Sequence, residues 1–136
     1  MLPTSLNKLL LAALAASTLA GPAWATQGLL CRAPEGAAEI GLTLGTAGGL
    51  GFAGAGMSAG EKRWVTDPAY GAGEIFTFGQ GMADETGLRI DFFDDIVNDR
   101  VAELRLYRAM EGDDFVQAGT LRILGLGAWP VICEES

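Results

Sequence analysis

Two runs of alternating residues flank Gly112-Asp113, and the pairing they permit constrains this chain more than any other stretch. With Gly112 and Asp113 as the central residues of a two-residue turn, Glu111 faces Asp114. Glycine suits the first central position of a type II′ turn, which needs positive φ. The register then sets Met110 opposite Phe115, Leu106 opposite Gly119, Leu104 opposite Leu121 and Ala102 opposite Ile123 on one face. The other face sets Val101 opposite Leu124, Glu103 opposite Arg122 and Tyr107 opposite Ala118. One face is mostly apolar, and the other carries an opposite-charge pair of the kind that contributes roughly 0.2–1 kcal/mol. A slip of one residue would mix the two faces. The poorest fit is Arg108 opposite Gln117 on the apolar face, tolerable near an open end. A helix over Val101–Glu111 competes, because Ala, Leu, Glu, Arg and Met are good helix formers and Asn98 or Asp99 could cap it. Leu104 and Leu106 argue against it, since residues two apart point to nearly opposite sides of a helix.

Upstream, the same period-2 logic finds further strands. Ala38–Thr46 alternates Ile40, Leu42 and Leu44 with Glu39, Gly41 and Thr43. Thr46–Gly60 is glycine-rich and reads as a hairpin around Gly48-Gly49, with a second strand thinned by glycine where strands bend or another backbone approaches. Gly49, Gly51 and Gly54 match G-x-G-x-x-G, but without the strand–helix setting that gives a phosphate loop its meaning. Glu61–Thr66 is a short strand, and Asp67–Gly73 a loop. Ile75–Gly79 and Gly87–Phe93 form a strand pair turning at Met82–Glu85, with Leu88, Ile90 and Phe92 lying beside Ala102, Leu104 and Leu106. A loop at Gly125–Pro130 precedes a last strand, Val131–Cys133, in which Pro130 must sit at an edge or at the strand's first residue. Turn signals every ten residues or so, with no convincing long helix, predict an all-β fold: a small disulfide-closed antiparallel β-barrel or β-sandwich of about eight strands.

The chain begins with the pattern of a secretory signal peptide: Lys8, an apolar run over Leu9–Ala20, and Ala23-Trp24-Ala25 as the cleavage site. That run falls short of the roughly 20 residues a membrane-spanning helix needs. Residues 1–25 are thus expected to be removed, leaving 26–136 as one all-β domain exported to the periplasm or outside the cell. In an exported chain, the two cysteines, Cys31 and Cys133, are expected to form a disulfide.

The full chain carries a formal charge of −8. Loss of Lys8 makes it about −9, which repels nucleic acid and anionic membranes and favours a basic protein as partner. The sequence contains no histidine, which removes Ser-His-Asp and Cys-His machinery and histidine metal ligation. A carboxylate pair drawn from Asp91, Asp94 and Glu103, as in glycoside hydrolysis, is the enzymic outsider.

Two clusters are the candidate sites. Asp91, Asp94, Asp95, Asn98 and Asp99 supply hard oxygen ligands suited to Ca²⁺, although their spacing is not that of an EF-hand and a solvated acidic loop is the simpler reading. Lys62, Arg63 and Trp64 form a basic-aromatic cluster that could contact a ligand or partner, while a core tryptophan with solvated neighbours is the plainer account. The functional expectation is a non-catalytic binding or inhibitory module without a cofactor. An envelope-associated structural or accessory protein is the alternative, and a carboxylate-dependent hydrolase ranks behind both.

Overall fold

A computed structural model of the chain describes residues 26–45 and 50–136. The signal-peptide expectation and the Gly48-Gly49 turn lie outside the described residues. Nine strands form a closed barrel in which every strand neighbours the next in sequence and the last returns to the first. They are β1 (Thr26–Arg32), β2 (Ala38–Gly45), β3 (Gly51–Ala59), β4 (Lys62–Val65), β5 (Glu74–Asp84), β6 (Gly87–Asp94), β7 (Arg100–Glu111), β8 (Asp114–Ile123) and β9 (Gly127–Glu135).

The β7–β8 hairpin has the register expected, from Glu111 against Asp114 down to Ala102 against Ile123. Gly112 has φ +59° while Asp113 stays out of the positive region, as a type II′ turn requires. The meander is also present: Leu88, Ile90 and Phe92 of β6 pair with Leu106, Leu104 and Ala102 of β7. These residues point inward with Ile40, Met57, Phe76, Leu121 and Val131, and the barrel interior is filled by side chains. An aromatic stack runs through it, Phe52 on Phe78 and Phe76 on Phe92, with ring centroids 4.6 Å apart in both pairs.

Cys31 and Cys133 are bonded and lie directly opposite each other across β1 and β9. The two strands meet over four residue pairs, Leu29–Arg32 against Ile132–Glu135. Backbone bonds between Gly28 and Ser136 extend the seam by one step.

Several boundaries differ from the sequence reading. β1 carries no clean alternation in Leu29-Leu30 and was not expected as a strand; pairing with both β2 and β9 holds it in place. β5 runs to Asp84, beyond the expected turn at Met82, because Asp84 accepts bonds from the Thr86 and Gly87 backbone and so sets the turn two residues later. β9 begins at Gly127, which places Pro130 inside a strand, opposite Thr120 of β8. β1 reaches β9 only from Ile132 onward, so at Pro130 the other side of β9 is locally an edge and the missing N–H leaves no rung broken. One contact departs from the antiparallel rule: β4 and β5 run parallel, meeting only at Trp64–Glu74 and Val65–Ile75. Thr66–Gly73 makes that crossover through a 3₁₀ turn at Pro68–Tyr70, capped by the Asp67 carboxylate.

Candidate functional site

With the interior filled, the surfaces available for recognition are outside the wall. The most prominent is the free end of the β7–β8 hairpin. β6 follows β7 only as far as Tyr107, and β9 joins β8 only from Ala118, so, among the described residues, 109–116 pair with each other alone. Apolar side chains stand in the open on this ribbon: Met110 is 71 % exposed, Val116 56 % and Phe115 43 %. On the opposite face from Met110 and Phe115, Val116 is continued onto the barrel by a cross-strand row of Tyr107, Ala118 and Ile132, with Tyr107 and Ile132 both exposed. Glu111, Asp113 and Asp114 ring the tip. At the ribbon's base Arg108 bonds the Asp84 carbonyl through Nη1 at 3.1 Å. Its cross-strand partner Gln117 is buried, and Gln117 Nε2 and Arg108 Nε have no hydrogen-bond partner among the described residues.

A second surface spans the outer face of β5–β8. Asp91 is buried there, its carboxylate accepting from Arg105 Nη2 at 2.6 Å and from Gln80 Nε2 at 2.7 Å. A bulge between Phe78 and Gln80 brings Gln80 opposite Asp91. Burial pulls the Asp91 carboxyl upward, but the bonds from Gln80 and Arg105 and the charges of Arg105 and Arg100 outweigh it and hold the group below the usual range. Glu103, beside Asp91 in register, takes a 2.6 Å bond from Arg100 and a 3.4 Å one from Arg122. The Arg100 bond is the main cause of its lowered pKa, against the pull of burial. Arg100, which also lies 3.9 Å from Asp91, thus stands between two carboxylates that would otherwise repel across the strands. A hollow of about 250 Å³ opens over this face, lined by Gln80, Gly81, Met82, Arg89, Asp91 and Arg105.

The sequence-predicted clusters are not assembled as sites. Asp91 is committed to its arginine. Asp94 turns its carboxylate onto the backbone N–H groups of Asn98 and Asp99, at 2.7 and 3.2 Å, and so closes the loop on itself. Asp95 and Asp99 point to solvent. No three carboxylates converge among the described residues. In the other cluster, Trp64 is buried in the core against Met57, while Lys62 and Arg63 are exposed. Arg63 instead lines a hollow of about 340 Å³ on the outside of β1–β4, floored by Gly41 and Gly56 and walled in part by Tyr70.

Fold and surface together define a small disulfide-closed β-barrel with a solid apolar core, a charged outer wall and one projecting hairpin. No protein-family model matches the chain, and neither a curated protein nor a solved structure matches it.

Proposed function

We propose that this protein is an exported, non-catalytic binding or inhibitory module that engages a basic protein through the β7–β8 hairpin tip. The observation that carries the reading is the ribbon at residues 109–116, which exposes Met110, Phe115 and Val116 beside three acidic groups. Folding gives no reason to leave these apolar groups in water, whereas a partner cleft with a basic rim would bury them and pair the acids. A hairpin already paired along its length also enters such a cleft with less ordering cost than an unpaired loop.

Other features support the setting. A disulfide is consistent with an oxidising, exported compartment. Among the described residues no helix is long and apolar enough to cross a membrane. The outer wall carries Arg89, Arg105, Arg122, Asp91 and Glu103 over an apolar interior, the reverse of a barrel whose outside faces lipid.

The test is capture from an exported-protein fraction by the wild type and by the double variant M110S/F115S, alongside D113K/D114K, each confirmed folded by circular dichroism. The reading requires a defined basic partner that both variants lose and that rising salt releases from the wild type. Retention by both variants, or reproducible capture of nothing at low salt, refutes it. Recovery with the cell-wall or membrane fraction through a surface other than the hairpin would favour the envelope-associated alternative.

A further inference from the structure

The arginine-rich wall has a feature that its own ion pairs do not explain. Arg89 of β6 and Arg105 of β7 stand directly opposite each other, a like-charge cross-strand pair that costs stability. Arg105 is fixed in place: Nη1 donates to the Ile90 and Leu104 carbonyls at 3.1 and 3.0 Å, and Nη2 to Asp91. Of the five N–H donors of a guanidinium, those three bonds leave about two unused, on Nε and Nη2. Arg89 makes no ion pair among the described residues, although its charge is felt by the Asp84 carboxylate. The 250 Å³ hollow lies against both arginines, with Met82, Gly81 and Gln80 lining the rest. Three arginines (Arg100, Arg105 and Arg122) share two carboxylates on this wall, and Arg89, whose charge reaches Asp84, adds a fourth positive group on a chain whose formal charge is −8.

We propose that this hollow is a binding site for the oxyanion group of a small ligand (a phosphate, sulfate or carboxylate), clamped between Arg89 and the unused edge of Arg105. Asp91 lines the hollow as a carboxylate, but its charge is offset by Arg105 at 2.6 Å, so the lining keeps the one positive charge of Arg89. Its role is to hold the Arg105 guanidinium still, so that the fork meets an anion already oriented. An anion there relieves the Arg89–Arg105 repulsion, which is the source of the gain. The site is separate from the hairpin tip and stands or falls independently of it.

The probes are inorganic phosphate, sulfate and acetate, titrated into ¹⁵N-labelled protein at low ionic strength, with chloride at matched ionic strength as control. Saturable shifts are expected at Gln80–Met82 and at the Nε–H signals of Arg89 and Arg105, from at least one oxyanion and not from chloride. The tightest of the three identifies the group. Arg89→Gln should weaken binding at least tenfold, while Arg122→Gln, on the same wall outside the hollow, should leave it within twofold. Arg89→Lys, which keeps the charge and loses the fork, should fall between. Shifts that never saturate, that spread over the surface, that chloride reproduces, or that survive Arg89→Gln overturn the proposal.

Discussion

Breaking the disulfide tests how the barrel is closed. Cys31 and Cys133 are 102 positions apart, and in the chain-entropy treatment a cross-link of about that span stabilises by about 4.7 kcal/mol at 25 °C. For a domain of about 110 residues, an unfolding entropy of about 2.1 cal/mol/K per residue gives about 0.23 kcal/mol/K. The bond is then worth about 20 °C in melting temperature, an upper figure because strain in the native link subtracts from it. The double variant C31A/C133A and the wild type in reductant should both show a loss of several kcal/mol in urea unfolding, with a larger m-value because the unfolded chain expands. Reduced wild type keeps the side-chain volume, so agreement between the two isolates the cross-link from packing at these buried positions. The seam gives a second readout. Only four residue pairs join β1 to β9, so their amides should lose exchange protection first, while the β6–β7 core keeps its own. A loss below about 1 kcal/mol with an unchanged m-value would refute the reasoning, since the cross-link would then not be restraining the unfolded chain.

Other outcomes follow from single residues. The Asp91 carboxyl is held low in the folded state, so its contribution is present above the ordinary carboxylate value of 3.8 and is lost as pH falls through the lowered one. Asp91→Asn should therefore flatten the acid limb of stability against pH; an unchanged limb refutes the assignment. Gly119→Ala would drive a Cβ into the Arg105 carbonyl and should cost about 1–3 kcal/mol or more, whereas Gly56→Ala meets nothing within 4 Å and should gain about 0.4–1 kcal/mol, both read by chemical denaturation. Val97, exposed and β-branched, has φ +56°; Val97→Gly should raise the melting temperature by relieving about 1 kcal/mol of backbone strain. Gln117→Met removes a buried amide nitrogen that has no partner among the described residues and should stabilise by about 1 kcal/mol in the same denaturation assay.

The hairpin register, the β6–β7 meander and the disulfide were legible in the residues because each rests on local or covalent chemistry. What alternation could not reveal is where a neighbouring strand stops. Met110 and Phe115 lie on the same face as Leu104 and Leu121, and the pattern reads all four as core. Only the lengths of β6 and β9, which end short of the tip, put the first two in solvent. The acidic loop shows a related limit: composition counts carboxylates but does not show that Asp94 is used up by the amides of its own turn. The Arg89–Arg105 pair, by contrast, was within reach. Once Leu88 is set beside Leu106, Arg89 falls opposite Arg105, and two like charges facing each other are a signal in themselves.

The strand order has a consequence for how this chain gets into shape. Each of the first eight pairings joins a strand to the one made just before it, so each can form as the chain lengthens, without a long search. The ninth is different: β1 cannot complete its second edge until β9 exists, at the other end of the domain. Until then the protein is an open, curling sheet with two raw edges, the state most exposed to pairing with a neighbour. Closure is thus the one slow, entropically costly step, and the cysteines sit on it. Once oxidised, they turn a distant encounter into a local one, so that a barrel opened at any other seam refolds as a loop already tied.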